Sequence, residues 1–325
     1  MRKKMKKLLV SLLALAVALG MTACSGGNGK LKIGVTQFAD HPSLDNCYNG
    51  FVAGLEQEGY VDGENIEIDF QSAKADTAVA SQIAQNFANG GKDLVCGIAT
   101  LSAQALYSAC YDKGIPVIFN AVSDPVGAKL AKSKTEAMDG ISGVSDQLPV
   151  EEQLKLIRAL LPDAEKIGIL YTTSEDNSVS TIEIYKELAP EYGFEIVEKG
   201  IGNQSEIPQA ADVLLEQVDC ISNLTDNTVV ASLAVVLEKA NAKGIPVFGS
   251  EEEQVGNGCI ACAGLDYYSL GVSAGKMAAR VLKGEDISSI PYETQTESSI
   301  TINKSVADSL NITIPQEILE NADVK

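Results

Sequence analysis

Tryptophan is absent from this 325-residue chain, histidine occurs once, and aromatic residues make up only 5% of it. A single histidine, His41, cannot build a histidine-rich metal site and leaves little for triad chemistry. The phosphate-loop pattern GxxxxGK[ST] and the zinc-protease pattern HExxH do not occur. These absences give catalysis no support, and the chain is expected to be no enzyme and to carry neither metal nor cofactor. Basic residues are scarce as well: 25 Lys and Arg face 44 Asp and Glu, a formal charge of −19. So acidic a surface repels nucleic acid and anionic lipid headgroups, and neither is an expected partner. No apolar run suffices to span a bilayer, since residues 8–20 supply thirteen residues where about 20 are needed.

That apolar stretch has another use. It follows the basic "MRKKMKK" and precedes "MTAC", the layout of an export signal rather than of a membrane span. The last four residues resemble a bacterial lipobox, whose cysteine is acylated and becomes the mature N-terminus. Residues 1–23 are therefore read as a lipoprotein signal peptide and Cys24 as the lipidation site. Residues 24–30, with "SGGNG", are read as a flexible tether. The expected location is extracytoplasmic, anchored to the cell membrane through Cys24. Loss of the five basic signal residues leaves 20 Lys and Arg against 44 acids, a mature charge of −24.

Six cysteines follow Cys24: Cys47, Cys96, Cys110, Cys220, Cys259 and Cys262. A chain with 45% apolar residues has material for two cores and does not need disulfides. Cys96 and Cys220 sit in strand-like apolar runs as small hydrophobes. The "CIAC" pair lacks a second CxxC, and positions i and i+3 of a strand face opposite ways, so a structural role is expected.

From residue 31 short apolar runs alternate with longer amphipathic ones. "KLKIGVTQ", "NIEIDFQSA", "DLVCGIAT" and "IPVIFNAV" read as strands, separated by helices over 43–60, 77–91 and 102–114. That rhythm implies a parallel sheet covered on both faces. The order then restarts at "AEKIGILYT" (164–172). The pentapeptide KGIPV occurs at Lys113–Val117 and again at Lys243–Val247, 130 residues later. The expected fold is α/β, two doubly wound parallel-sheet lobes joined by a multi-strand hinge. Residues 31–141 would form lobe 1, completed by about 268–288, and 142–267 lobe 2, completed by about 289–325.

In open parallel sheets ligands bind beyond the carboxyl ends of the strands. The two halves stop resembling each other there, "IFNAVSDP" following the first KGIPV and "FGSEEEQ" the second. The strand-end loops hold Thr36–Phe38, Thr100–Ser102, Asn120–Asp124, Thr172–Ser178, Thr225–Thr228, Ser250 with Glu251, and Asp266 with Tyr267. Most precede helices, where backbone N–H groups and hydroxyls suit a carboxylate. None is Lys or Arg, which argues against phosphate. Asp226, Glu251 and Asp266 offer the opposite charge for an ammonium. Phe38, Leu101 or Tyr267 could face an apolar group. Together these describe a site for an α-amino acid, although Ser, Thr, Asn and Asp before helices also serve as caps, and Asp124 before Pro125 as a turn former.

At "VTQFADHPSLD", "GIATLSAQAL", "NAVSDPVGAKL" and "GLDYYSLG" the chain resembles the solute-binding lipoproteins of ABC importers, in particular the tryptophan- and aromatic-amino-acid-binding branch. The resemblance covers roughly residues 31–310 and implies the type I periplasmic-binding-protein fold, whose lobes close over a ligand and dock on a permease driven by ATPases. It further implies ligand contacts at Gln37, Leu101, Ser102, Ser123, Asn177, Ser178, Asp226 and Asp266, with Asp226 as the ammonium partner. A monomer that captures a hydrophobic or aromatic amino acid is expected. The alternative is a ligand-sensing subunit reporting to a membrane receptor.

Overall fold

The computed structural model describes residues 29–325. The signal peptide, Cys24 and all but the last two tether residues lie outside the described residues. Among those described, no helix is long and apolar enough to cross a membrane.

The first lobe runs β1 (Leu31–Gln37), α1 (Pro42–Gln57), β2 (Ile66–Ser72), α2 (Thr77–Asn89), β3 (Leu94–Ile98), α3 (Thr100–Cys110), β4 (Val117–Asn120) and β5 (Ile141–Ser145). Its parallel sheet has the order β11-β5-β4-β3-β1-β2, where β11 is Glu293–Thr294. The central strands LVCGI and VIFN are buried throughout, because helices cover both faces and no alternation with polar residues is needed.

The second lobe runs α4 (Val150–Leu160), β6 (Lys166–Thr172), α5 (Asp176–Leu188), β7 (Glu195–Ile201), α6 (Ile207–Leu214), β8 (Cys220–Ser222), α7 (Asn227–Val230), α8 (Leu233–Lys243), β9 (Val247–Phe248), α9 (Glu252–Gly256) and β10 (Ala261–Gly264). Strands β7-β6-β8-β9 form a parallel sheet. Beside it β10 pairs antiparallel with β12 (Ser299–Ile302), which pairs in turn with β13 (Ala322–Val324). Between these segments α10 (Tyr267–Leu282) returns to the first lobe, and α11 (Lys304–Ser309) and α12 (Gln316–Leu319) close the chain.

The repeated KGIPV is a helix stop joined to a strand start. Gly114 and Gly244 take left-handed φ of 66° and 67°. Ile115 and Ile245 then return their N–H to the carbonyls of Cys110 and Ala240, closing the last turn. Pro116 and Pro246 have no N–H to donate, but their carbonyls accept from Val95 and Ile221 of the neighbouring strands.

Two expected boundaries shift. Ile141–Ser145 pairs with β4, so the first crossover between lobes comes after Ser145 rather than at 141–142. The segment from 289 first adds β11 to the lobe 1 sheet and joins lobe 2 only from β12. The reason is local: β11 is a two-residue edge strand, and β5 beside it has Gly and two Ser in place of the apolar run that marks a central strand. Cys259 and Cys262 also share one core cluster instead of facing opposite ways, because β10 begins only at Ala261. All six described cysteines are buried and free.

One pentapeptide in α10, Gly271–Gly275 (GVSAG), has the GxSxG spacing of a hydrolase nucleophile. It lies in mid-helix and not at a strand-to-helix elbow, and its glycines serve packing. A Cβ at Gly275 would stand 2.2 Å from the Phe51 carbonyl, and one at Gly54 would stand 2.3 Å from that of Val272. Helices α1 and α10 therefore touch backbone to backbone. Gly275→Val is expected to cost at least about 1–3 kcal/mol by overpacking, whereas Gly256→Ala, which meets nothing within 4 Å, serves as the neutral control. Denaturant midpoints check this, and equal midpoints would show that the helices can separate freely.

Candidate functional site

The carboxyl ends of the two parallel sheets face one another across the junction of the lobes and bound a small cavity of about 10 Å³. His41, Ser43, Leu44, Ala99, Thr100, Ala121, Ser123 and Asp146 supply the lobe 1 wall. Asn177, Thr225, Asn227, Val230, Glu251 and Gln254 supply the other, and Tyr267 closes the hinge side. No Lys or Arg lines it.

The helices around the cavity fall into two groups. Those beginning after Asp226, Glu251 and Asp266 are capped by these carboxylates, each accepting from backbone N–H groups of its own first turn. Those beginning after His41, Ala99 and Glu175 have no side-chain cap. At α3 the first intrahelical bond is Ala103 N–H to the Ala99 carbonyl, which leaves the amides of Thr100, Leu101 and Ser102 without helical partners. The buried hydroxyls of Thr100 and Ser102 are unpartnered too. A partly positive helix end with spare donors at the cavity wall suits an anion. Ala99 and Ala121, at the ends of neighbouring strands, hold positive φ of 73° and 55°. For residues with a Cβ such backbone costs about 1–3 kcal/mol, and it concentrates at functional sites.

Two acids face the same space. Asp146 is fully buried, and its carboxylate accepts from Ser123 Oγ at 2.9 Å and from the Tyr267 hydroxyl at 2.6 Å. Burial raises its pKa against these two hydrogen bonds. Glu251 accepts from the Glu253 and Gln254 amides at 2.7 and 3.0 Å, and the nearby Ser43 hydroxyl of the opposite lobe also acts to lower its pKa. Burial pushes it up to about 7. Burial between the lobes holds the His41 ring down at about 4, hence neutral, with Nε2 3.5 Å from Asn227 Oδ1 and Nδ1 unpartnered. The unpartnered buried atoms Asn177 Oδ1 and Gln254 Nε2 belong to the same wall.

The sequence-derived contacts separate on this geometry. Ser123 and Asn177 line the cavity. Ser102 lies in the uncapped turn of α3, buried with its hydroxyl free. Leu101 turns to an adjoining interlobe cleft shared with Phe38, Glu175 and Thr228. Gln37 is buried and spends its amide on Ala39 O and Asp45. Asp226 does not face the cavity. It accepts from Thr172 N and Oγ1 at 2.6 and 2.9 Å, Ser178 Oγ at 2.8 Å and Val229 N at 3.0 Å, which occupies both oxygens and also consumes Ser178. Glu175 beside it is caged in the same way by Asn227 and Thr228, each giving a backbone and a side-chain donor. Asp266 is exposed and caps α10. Of the three acids expected to offer a negative charge, Glu251 lines the cavity while Asp226 and Asp266 do not, and Asp146 lines it as well. Glu251 was legible from its loop. Asp146 was not singled out, because the strand it follows, ISGVS, has Gly and two Ser in place of an apolar run.

The lobes are in contact on both rims. Asn46 Nδ2 donates to Glu253, and Gln104 Nε2 to Asp176, each at 2.9 Å.

Residues 32–325 match the model of the family described as "ABC transporter substrate binding protein". A tyrosine-binding protein of Clostridioides difficile (strain R20291) is 40% identical over 324 residues, covering 95% of this chain and 93% of that one. The crystal structure of an ABC domain in complex with L-Trp from Streptococcus pneumoniae is 37% identical and covers 91% of this chain and 100% of its own, with a TM-score of 0.89. The ligand-free, open structure of a Clostridium difficile substrate-binding protein with adhesive properties is 40% identical, covers 91% of this chain and 99% of its own, and superposes at only 0.68. At nearly equal identity, this chain superposes more closely on the L-Trp-bound structure than on the ligand-free, open one.

The buried titrations act in opposite senses. Glu251 has a folded value of about 7 against an ordinary 4.5, so its contribution to stability is complete below about 4.5 and lost as pH rises through about 7. His41, at about 4 against 6.5, contributes fully above about 6.5, and this is lost as pH falls through about 4. Glu251→Gln is expected to lose less stability than wild type when pH is raised from about 5 to about 8, as measured by denaturant unfolding. Equal losses would show that Glu251 carries no such linkage.

Proposed function

The chain belongs to the ABC transporter substrate-binding protein family, a class of extracytoplasmic transport components, and from this premise we propose that it captures an aromatic amino acid by closure of its two lobes. One observation carries the reading: a closed cavity that offers an uncapped helix end and two buried acids but no basic side chain. The α-carboxylate would lie against the Thr100–Ser102 amides and hydroxyls. The ammonium would meet Asp146, with Glu251 beyond it. Leu44, Val230, Ala99 and Ala121 provide apolar wall for a ring. The free volume, about 10 Å³, is about that of one water, so the lobes would part further to take a ring. The L-Trp-bound structure and the tyrosine-binding relative support an aromatic side chain. Ligand held by both lobes binds the closed form better and shifts the population toward it. The loaded monomer would then dock on a permease powered by ATPases.

Cys24 would carry the membrane anchor, its acyl chains adding about 0.8 kcal/mol per buried methylene. Cys24→Ala is expected to move the protein from the membrane fraction to the medium or periplasm. Retention in the membrane fraction would count against the anchor.

Calorimetric titration with L-tyrosine, L-tryptophan and L-phenylalanine tests the ligand class. Asp146→Asn is expected to weaken the binding ligand by about 2 kcal/mol or more, roughly thirtyfold, because a buried hydrogen-bonded charge partner is lost. An analogue without the amino group should bind wild type and variant alike. Unchanged affinity in Asp146→Asn would move the ammonium site elsewhere.

A further inference from the structure

We propose that Asp146 is the node at which ligand binding sets the hinge, with Tyr267 as the positioning residue that ties the carboxylate to a second crossover. The proposal rests on reading Asp146 as the ammonium partner.

Three chain segments pass between the lobes: 146–149 from β5 to α4, Leu265–Asp266 from β10 to α10, and 295–298 from β11 to β12. All three meet at two consecutive residues. Ser145 accepts the Gln295 amide at 3.2 Å, extending the pairing of Thr294 with Ser145. Asp146 accepts the hydroxyl of Tyr267, the first residue of α10, at 2.6 Å. Its other oxygen accepts from Ser123 Oγ at 2.9 Å, a group of the lobe 1 body that belongs to no crossover. On the lobe 2 side Gln153, in the first turn of α4, donates to Gly249 O at 2.9 Å and accepts from Ala263 N at 2.8 Å. The first two crossovers are thus tied together at both ends, and bending is confined to the few residues between the ties.

The charge balance links this node to the ligand. Closure leaves Asp146 buried with no cationic side chain in the cavity wall. A buried uncompensated carboxylate opposes the closed form, and a ligand ammonium removes the opposition. With the Tyr267 hydroxyl on the same carboxylate, that change falls directly on the β10–α10 crossover. The ligand's charge sets the lobe angle at its own binding residue, without a relay through the lobe bodies.

Tyr267→Phe keeps the ring and removes the tie, and Ser123→Ala removes the other donor to Asp146 but no crossover contact. A hydrogen bond to a charged group contributes about 1.5–3 kcal/mol, so each variant is expected to bind L-tyrosine about tenfold or more weaker than wild type. Small-angle scattering at saturating L-tyrosine separates them. Ser123→Ala should compact as far as wild type, and Tyr267→Phe by less than half as much. Thermal midpoints without ligand verify that both variants fold. Full compaction in Tyr267→Phe, or an equal loss in both variants, overturns the hinge role while leaving the amino-acid site standing. Wild type silent toward L-tyrosine, L-tryptophan and L-phenylalanine overturns the amino-acid reading and this proposal with it.

Discussion

A carboxylate enclosed between two lobes without a cation of its own is the constraint around which this molecule is arranged. Asp146 and Glu251 line a cavity that contains no Lys or Arg, and burial raises both. Hydrogen bonds from Ser123, Tyr267 and two backbone amides offset part of that cost. Across the cavity stands an equally unfinished element, the first turn of α3. Its Ala99 cap has no side chain able to satisfy the amides. The site is built from deficits of both signs set close together.

The surrounding acids show how the same residue type is put to other use. Glu175 and Asp226 lie side by side in lobe 2, the first held by five donors and the second by four. Their donors come from within their own lobe, so they stiffen the rim whether or not a ligand is present. Asp146 and Glu251 differ in facing across the cleft.

This difference also separates what was legible in the sequence from what was not. The tandem α/β rhythm, the repeated KGIPV and the divergence of the strand ends all follow from local chemistry, and they place the cleft correctly. Ser123, Asn177 and the α3 turn could be named because residues at strand ends must lie near it. Asp226 misled for a physical reason: an Asp before a helix is a cap and a charge partner in equal measure on sequence, and only the positions of Thr172 and Ser178, about fifty residues earlier, decide which. Asp146 stayed hidden because Ile141–Ser145, with Gly and two Ser, carries no strand signature of its own. It is a strand because β4 lies beside it.

Helices α1 and α10 both start at the cavity, after His41 and Asp266, and run side by side with glycines in contact. With sixteen residues each, they extend about 24 Å at 1.5 Å per residue. Because carbonyl oxygens of one sit against the glycine α-carbons of the other, neither can slide or rotate on its own. The pair is a single strut that stiffens the first lobe from the cavity to its distant pole.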